Sequence, residues 1–387
     1  MKHDPFTSWD VSIIGGGPAG VSLGLLLARA GLSVLVLEIG KGEDDGFAEN
    51  FAPSAKPVLQ GLGAWQAFRD GIHLPCLGSR TVWGSNTPKV RPYLEGPGHG
   101  WCVDRGSFFQ MLLTYAQEAG VYYERFTRIK AFEKSGGEDW SLQLQTGSRN
   151  WKTRARLVVD AAGRRSPIAG LLGAKRRNMD RLVGYSLILP HRPTVSEGRF
   201  FLVESAKNGW WYSIPEPSGG RTVIFLTDDD LPSSDLAQTL DGWRSLFLQT
   251  SAEFILDARA QFPTKNPRKW LANSSALTSA AGEGWLAVGD AAAAYDPLSS
   301  QGLLSALISA FHAKDAITTW FRGNQDALAS YAGLIEMAYR DYHAQRLNFY
   351  RLEDRWLEDR FWQRRHRDPD TQDKKQNPVR LIPFSLD

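Results

Sequence analysis

A glycine-rich segment near the start of the chain has the residue types and the spacing that hold a dinucleotide phosphate. Gly15, Gly17 and Gly20 fit the pattern GxGxxG. In this pattern the first glycine allows a tight turn, the second lets the backbone approach a pyrophosphate, and the third lets a helix pack against a strand. Glu38 stands at the end of the next apolar stretch, where a carboxylate can accept hydrogen bonds from two ribose hydroxyls. The residues of this segment predicted to form the dinucleotide-binding site are Gly15, Gly17, Pro18, Ala19 and Gly20.

The elements that must position this segment are predicted from its flanks. An apolar strand covers residues 11–14, a helix covers 18–30 and ends at Gly31, and a second strand covers 33–37. Such a βαβ unit directs the positive end of the helix dipole at a bound phosphate. Another helix is predicted over residues 104–119, with Asp104 as its N-cap.

A distant second segment turns this general dinucleotide site into a flavin site. Residues 285–288 predict a buried strand that ends in Gly289-Asp290, and a helix follows from about Gly302. Asp290 can bind a ribityl hydroxyl. The backbone amides that follow it, through Pro297 to Gly302, can face the N1 and O2 edge of a flavin, where negative charge gathers on reduction. The two segments together predict FAD as the cofactor.

The remaining pattern predicts an α/β fold, with a Rossmann-type FAD-binding lobe, an interleaved antiparallel β-sheet substrate lobe and a helical C-terminus. Alternating stretches at 182–189, 199–204, 210–214 and 221–226 predict the antiparallel sheet. We assign residues 1–175 and 270–325 to the FAD-binding lobe, 176–269 to the substrate lobe, and 326–387 to the helical region and its tail.

Composition and charge exclude several classes of function. A net charge of +3 is too small to favour nucleic acid, and no apolar stretch reaches the ~18 residues that a membrane span needs. Cys76 and Cys102 give neither a disulfide framework nor a metal-ligand spacing, so no metal is expected. The first strand follows the N-terminus too closely for a signal peptide, and we expect a cytoplasmic protein.

From Asp10 to about Ala316 the chain resembles the glutathione-reductase-type FAD proteins, and within them the aromatic monooxygenases and the flavin-dependent halogenases. The resemblance implies that Arg105 contacts the ribityl–phosphate part of FAD; the alternative is an exposed residue in the first turn of a helix. Residues 160–163 read Asp-Ala-Ala-Gly where the hydroxylases that use NAD(P)H have Asp-Gly. This departure puts direct nicotinamide binding in doubt and leaves a separate reductase open.

Residues 210–215, Trp-Trp-Tyr-Ser-Ile-Pro, resemble the WxWxIP signature of the halogenases, with Tyr212 in place of the second tryptophan. We expect Trp210 and Tyr212 to line the substrate cavity, the alternative being ordinary sheet core. The lysine with which halogenases hold hypohalous acid has no counterpart, because Lys56 and Lys89 only flank its region. The resemblance then implies a monooxygenase that hydroxylates an electron-rich aromatic ring through a flavin C4a-hydroperoxide.

Residues 296–302 and 361–366 also resemble the flavoprotein maturases of tryptophylquinone enzymes, which are thought to hydroxylate a tryptophan in a precursor polypeptide. A substrate of that size needs exposed docking anchors around the cleft. The residues expected to provide them are Trp356, Phe361, Trp362, Arg364 and Arg365. The alternative for residues 361–366 is the end of an amphipathic helix with its basic residues in solvent.

Several functions stay open at this point. The aromatic substrate is either a small molecule or a ring carried by a polypeptide. The other classes are a flavin-dependent halogenase, an isoprenoid-type flavin reductase and a non-catalytic flavoprotein escort. His73, His99 and His312 have no partner at a spacing typical of an acid–base pair, so we assign no catalytic residue.

Overall fold

The computed structural model describes residues 8–40, 47–93, 98–134, 139–190, 199–251 and 262–367. The strands in these ranges are β1 (Ser8–Ile14), β2 (Val34–Leu37), β3 (Glu49–Phe51), β4 (Leu74–Cys76), β5 (Gly78–Val82), β6 (Lys89–Pro92), β7 (Gly100–Val103), β8 (Tyr122–Glu124), β9 (Thr127–Lys134), β10 (Trp140–Thr146), β11 (Arg149–Asp160), β12 (Arg176–Asn178), β13 (Leu182–Leu189), β14 (Phe200–Ala206), β15 (Gly209–Pro215), β16 (Arg221–Asp228), β17 (Arg268–Leu271), β18 (Ser275–Leu277), β19 (Ala281–Gly282), β20 (Trp285–Ala287) and β21 (Ala293–Ala294). The α-helices are α1 (Pro18–Arg29), α2 (Ala55–Gly61), α3 (Trp65–Arg69), α4 (Arg105–Glu118), α5 (Pro167–Leu171), α6 (Pro232–Leu236), α7 (Leu240–Phe247), α8 (Gly302–Phe321), α9 (Ala327–Tyr350) and α10 (Arg360–His366).

An eight-stranded sheet carries the predicted dinucleotide motif. Its order is β19-β20-β11-β1-β2-β8, and β9 and β10 extend it along the first half of β11. Strands β20, β11, β1, β2 and β8 are parallel. All four residues of β2 are buried, as in a parallel strand that is covered on both faces. Helix α1 packs against β1, β2, α4 and α8. This architecture confirms the predicted α/β fold with its Rossmann-type unit.

Local signals in the sequence set the ends of the helices beside the motif. Asp104 caps α4, because its Oδ1 accepts a hydrogen bond of 2.8 Å from the Ser107 N–H. Gly31 follows α1 in a left-handed conformation, with φ of +87°, as a glycine at a helix C-terminus commonly does. Both helices therefore begin or end where the sequence predicts.

A seven-stranded sheet forms the second layer, in the order β17-β13-β16-β15-β14-β5-β6. Its strands pair antiparallel except β14 and β5, which are parallel. Because side chains alternate between faces, Trp211 lies on one face while Trp210 and Tyr212 lie on the other. Trp211 packs against α7, where the centroids of the Trp211 and Trp243 rings are 5.1 Å apart.

The second sheet contains strands from the segments assigned to the substrate lobe and also from those assigned to the FAD-binding lobe. Strands β5 and β6 come from residues 78–92, inside the segment assigned to the FAD-binding lobe, and β17 ends at Leu271. The two lobes thus share a sheet. The bounds themselves stay a prediction, and the tail assigned to residues 368–387 lies outside the described residues.

The C-terminal segment packs into the core, and the expectation of exposed anchors is wrong for Phe361, Trp362 and Arg365. Phe361 and Trp362 are both 0% exposed. The Trp362 indole N–H donates to the Ala206 carbonyl at 3.0 Å, and its ring lies 5.3 Å from that of Trp83. Trp356 is half-buried and stacks on Trp362 at 5.9 Å. These aromatic residues therefore hold α10 against the second sheet.

Ion pairs fix the basic residues of α10 to the end of β16, so the alternative of solvated basic residues is wrong as well. Arg365 contacts Asp228 at 2.7 Å and Arg364 contacts it at 2.8 Å. Burial raises the pKa of Asp228, but the two guanidinium groups outweigh burial and hold that pKa below its usual value. The contact therefore stabilises the fold above the ordinary pKa of an aspartate, and this contribution is lost as the pH falls through the lowered pKa.

The burial of Trp362 predicts the cost of removing it. Trp362→Ala should lower the free energy of unfolding by about 3–5 kcal/mol, because it leaves a large cavity beside Trp83 and removes a hydrogen bond. Urea denaturation followed by circular dichroism measures this change. Leu357→Ala is the control, since Leu357 is 46% exposed, and it should unfold at nearly the wild-type urea concentration. A Trp362→Ala midpoint equal to that of the wild type would show that α10 is not part of the core.

Candidate active site

Three parallel strand ends meet at one edge of the first sheet. The Ala161 N–H donates to the Ile14 carbonyl at 2.7 Å, and the Val288 N–H donates to the Asp160 carbonyl at 2.9 Å. The loops that leave β1, β11 and β20 therefore start side by side. They line a cavity of about 1370 Å³ that extends to the second sheet. Segments that are far apart in the sequence thus form one wall.

The three glycines of the motif have different physical roles. Gly15 adopts φ of +113°, and a Cβ there would collide with the Ala161 carbonyl. A Cβ at Gly20 would collide with the Gly15 carbonyl, so that glycine allows α1 to begin close to β1. Gly17 has an ordinary φ of −74°, and a Cβ there would meet nothing within 4 Å. Gly15 and Gly20 are therefore required by the fold, whereas Gly17 keeps open space at the N-terminus of α1.

Helix α1 begins without a side-chain cap from any described residue. Its N-cap is Gly17 and its first residue is Pro18, so the free N–H groups of the first turn face the cavity that both residues line. Free N–H groups and the positive end of the helix dipole together bind anions such as phosphate. The open space at Gly17 would form a cradle for a pyrophosphate.

Glu38 lines the cavity beside this cradle. Its two carboxylate oxygens accept hydrogen bonds from the Gly16 N–H at 2.7 Å and from the Gly40 N–H at 2.6 Å. A carboxylate has about four lone-pair positions, so two remain for ribose hydroxyls. The Thr127 N–H donates to the Glu38 carbonyl at 2.9 Å, which places β9 at this end of the cavity.

Arg105 lines the cavity at the start of α4. It forms an ion pair with Glu49 on β3, and both side chains are about one third exposed, at 30% and 27%. The ion pair holds the guanidinium at the cavity wall, where it can also contact a ligand. The structure therefore favours a wall position over a solvent-exposed residue of the first turn.

Asp290 lies in the turn after β20, and it lines the cavity. Arg164, from the loop after β11, contacts its carboxylate at 3.2 Å. Arg176 donates to the carbonyls of Asp290, at 3.1 Å, and of Ala291. These contacts join the loop after β11 and the start of β12 to the loop after β20, so two arginines to which the sequence analysis gave no role position the predicted flavin-binding aspartate.

Asp296 is 1% exposed and anchors the loop that carries Pro297. Its carboxylate accepts hydrogen bonds from the Leu298 N–H at 2.9 Å, from Arg346 at 3.0 Å and from the Tyr350 hydroxyl at 2.8 Å. Arg346 also contacts Asp180 at 2.8 Å. Helix α9 thus holds the loop that follows Asp290 against the cavity.

The second sheet forms the opposite wall of the cavity. Tyr212, Ile224 and Trp270 line it. Trp210 does not, and the expectation for this residue is wrong. It is 0% exposed and lies 6.3 Å from the Trp83 ring, beneath the C-terminal segment. The same face of β15 is therefore covered at Trp210 and open to the cavity at Tyr212.

Apart from Gly20 and Trp210, every predicted site residue lines this cavity. Sequence reasoning missed Trp270, Arg164 and Tyr295. Trp270 reaches the cavity because Gly184, its cross-strand neighbour on β13, has no side chain; a Cβ there would lie within 3 Å of the indole. No local pattern in the sequence pairs those two positions.

The residues present fit FAD. A pocket for one small ligand has a volume of roughly 300–1,000 Å³, so a cavity of about 1370 Å³ has room for a cofactor and for part of a second ligand. The cradle at Gly17 would hold the pyrophosphate, Glu38 the ribose, and Asp290 the ribityl chain. The fold and this site define a flavoprotein.

Comparisons with known proteins identify the group more closely. The family model described as the FAD binding domain matches residues 8–333, and the chain belongs to this family. It is 30% identical over 366 residues to LodB of Marinomonas mediterranea, which is named as an FAD-dependent oxidoreductase, and the match covers 93% of this chain and 97% of LodB. It is 24% identical to a 1H-pyrrole-2-carbonyl-[peptidyl-carrier protein] chlorinase of Pseudomonas fluorescens, with 89% and 84% of the two chains covered. The protein is an FAD-dependent oxidoreductase.

Solved structures show the same fold. The halogenase CmlS superposes with a TM-score of 0.81 at 23% identity, covering 95% of this chain and 69% of CmlS. The peptidyl tryptophan dihydroxylase QhpG superposes with a TM-score of 0.73 at 23% identity, covering 95% of this chain and 80% of QhpG. In the described part of the chain, no helix is both long enough and apolar enough to cross a membrane.

The open space at Gly17 predicts a variant that folds without its cofactor. Gly17→Val should keep the wild-type circular dichroism spectrum, because its backbone angles suit any residue, while its side chain fills the phosphate cradle. The ratio of flavin absorbance to protein absorbance after purification should fall to near zero. Gly15→Ala is the contrasting variant and should fail to fold, since its Cβ collides with the Ala161 carbonyl. A Gly17→Val protein with full flavin content would contradict the assignment of the cradle.

The contacts of Asp296 predict a second effect on the cofactor. Arg346→Met leaves two buried carboxylates without their cation, which should cost about 3–5 kcal/mol of stability and release the loop at Pro297. We expect a lower melting temperature and faster loss of FAD on gel filtration. Arg340→Met, on the same helix, removes a side chain that is 75% exposed and should change neither quantity. Equal FAD retention by the two variants would show that α9 does not support the site.

Proposed function

We propose that this protein is an FAD-dependent monooxygenase that hydroxylates an electron-rich aromatic ring, and that the ring is a tryptophan side chain of a precursor polypeptide. When bound and reduced, FAD supplies activated oxygen for such a transfer. The chain supplies the cradle for the cofactor, an apolar wall for the ring and separation of the reacting atoms from water. The observation that carries the proposal is the distribution of lysines around the cavity.

A halogenase needs an ammonium group on the substrate side of the flavin. Lys56 packs on the Trp65 ring at 5.4 Å, and Lys89 is exposed on the edge strand β6. Neither lines the cavity. Among the described residues, the lysines that do so are Lys130 and Lys134. Both belong to β9, a strand of the first sheet, and the Lys134 ammonium is held by Glu283 at 2.6 Å; neither lysine is on a strand of the second sheet. This arrangement favours oxygen transfer to the ring over halogenation.

The source of reducing equivalents is proposed to be a separate reductase. Asp160, the aspartate of the Asp-Ala-Ala-Gly segment, is fully buried, and its carboxylate accepts hydrogen bonds from the N–H groups of Ala162, Ile168 and Ala169. These bonds hold the start of α5 and occupy the carboxylate with the protein's own backbone. A nicotinamide would need other contacts.

The names of two similar proteins support a ring that is carried by a polypeptide. The Pseudomonas chlorinase is named for a pyrrole on a peptidyl-carrier protein, and QhpG is named as a peptidyl tryptophan dihydroxylase that is essential for tryptophylquinone biogenesis. Both names describe an aromatic ring with an N–H group attached to a polypeptide. Halogenation of such a ring is the second candidate function, because the chlorinase is similar to this chain in sequence and CmlS shares its fold.

A single incubation distinguishes the two candidates. The holoenzyme, photoreduced without a nicotinamide, is mixed with isotopically labelled O₂ and a tryptophan-containing peptide, with and without chloride and bromide. We expect the labelled oxygen atom in the indole ring, in equal yield with and without halide, by mass spectrometry. Gly17→Val, which lacks the cradle, is the control for chemistry by free flavin.

Lysine variants sharpen this test. Lys89→Gln and Lys56→Gln should retain the wild-type rate of oxygen incorporation, because neither ammonium faces the cavity. A halogenated peptide from the wild-type protein would replace the proposal with halogenation. Loss of that halogenated product in the Lys89→Gln variant would lead to the same conclusion. Consumption of O₂ without any modified peptide or small aromatic product would contradict both candidates.

A further inference from the structure

The wall formed by the second sheet has a regular cross-strand arrangement. Arg268 on β17 pairs with Ser186 on β13, Ser186 pairs with Ile224 on β16, and Ile224 pairs with Tyr212 on β15. Residues paired in this way lie on the same face of a sheet. Ile224 and Tyr212 are thus direct neighbours on the face that lines the cavity.

The next row of the same face brings an indole to this wall. Trp270 pairs with Gly184, and a Cβ at Gly184 would collide with the Trp270 ring. The indole therefore lies across β13, over a position with no side chain, and extends from the edge strand towards the centre of the sheet. Trp270, Ile224 and Tyr212 together present one aromatic ring, one aliphatic side chain and one phenol to the cavity.

The Tyr212 hydroxyl is the polar group beside Ile224 on this wall, and Arg268 lies at the other end of the same row. No described residue forms a hydrogen bond with the Tyr212 hydroxyl. Its oxygen is not one of the fully buried polar atoms without a partner in the described part of the chain, so it is accessible from the cavity. Burial raises the pKa of Tyr212 well above its ordinary value, and the neighbouring Cys102 and Cys76 thiols add to the increase. The side chain therefore stays a neutral phenol, which donates and accepts hydrogen bonds but does not act as a base.

The groups around this wall exclude one kind of aromatic substrate. A phenol reacts readily with an electrophile once a base has removed its proton. No histidine lines the cavity in the described part of the chain. Glu49, which lines it beside Ala48, is held in an ion pair by Arg105, so its carboxylate is not a free base. An indole is electron-rich while neutral and needs no such base.

We propose that Trp270, Ile224 and Tyr212 form the ring-binding site, that the site takes a neutral indole, and that the Tyr212 oxygen accepts a hydrogen bond from the indole N–H. This inference rests on the proposed function and specifies how its substrate is recognised. Trp270 and Ile224 provide the apolar contact, and Tyr212 fixes the rotation of the ring about that contact. Tyr212 is thus a positioning residue that decides which ring carbon meets the oxygen.

The hydrogen bond can be tested without turnover. The oxidised FAD holoenzyme is titrated with N-acetyl-tryptophanamide and with its 1-methylindole analogue, and binding is followed by the change in flavin absorbance. Tyr212→Phe should weaken binding of the first ligand by roughly 2- to 13-fold, which corresponds to a hydrogen bond of about 0.5–1.5 kcal/mol, and should leave binding of the second unchanged. Trp270→Ala should weaken the binding of both ligands.

Tyr93→Phe is the matched control. Tyr93 is a tyrosine of the same cluster whose hydroxyl accepts a hydrogen bond of 3.0 Å from Asn50, and it does not line the cavity. This variant should bind both ligands as the wild type does. In turnover, Tyr212→Phe should hydroxylate more than one ring carbon and release more hydrogen peroxide per O₂ consumed, at unchanged FAD content.

The outcomes separate this inference from the proposed function. Equal losses for the two ligands in Tyr212→Phe, or no loss for either, would overturn the hydrogen bond while the monooxygenase proposal stands. Wild-type protein that binds neither indole but binds phenol would overturn the class of ring itself. A loss in Tyr93→Phe equal to that in Tyr212→Phe would show a general effect of the cluster, and would also overturn the assignment to Tyr212.

Discussion

The site depends on one steric constraint, which is that β1 and β11 end almost in contact. Gly15 turns with φ of +113° against the Ala161 carbonyl, and the two strands can approach so closely because this position has no side chain. The hydrogen bond of 2.7 Å between Ala161 and Ile14 closes the same junction. Parallel strands whose carboxyl ends meet in this way place their loops at one edge of the sheet, where ligands of α/β proteins bind. The loops that carry Gly17, Arg164 and Asp290 all start from that edge.

Buried charges then join the parts of the molecule that the strands leave separate. Asp296 connects the loop that carries Pro297 to α9, and Asp228 connects the second sheet to α10. Loss of one member of such a pair is costly because the remaining charge stays buried, whereas the intact pair adds little net stability. The main effect of these aspartates is therefore to hold the C-terminal segment in one arrangement, and their net contribution to stability is smaller. That arrangement covers Trp210 and leaves Tyr212 open.

The features that the sequence predicted are those encoded locally or by a motif. The βαβ unit, the N-cap at Asp104 and the strand before Asp290 each depend on residues a few positions apart, and the structure contains all of them. Alternation along β15 also places Trp210 and Tyr212 on one face. Trp210 packs against Trp83, which in turn packs against Trp362 from the remote C-terminal segment, and the access of Trp270 to the cavity depends on Gly184 on another strand. Contacts of this kind arise from tertiary packing, which residue spacing does not record.

The parallel pairing of β5 with β14 has a consequence for the order in which this chain folds. The two strands are separated by more than a hundred residues, so the second sheet closes only after most of the N-terminal half has been made and organised. Contacts of such long range slow folding, because the entropy of closing the loop is lost before the contacts form. The loop at Asp296 additionally waits for α9, which ends at Tyr350. During synthesis, the complete cofactor site is therefore assembled only when nearly the whole chain has left the ribosome.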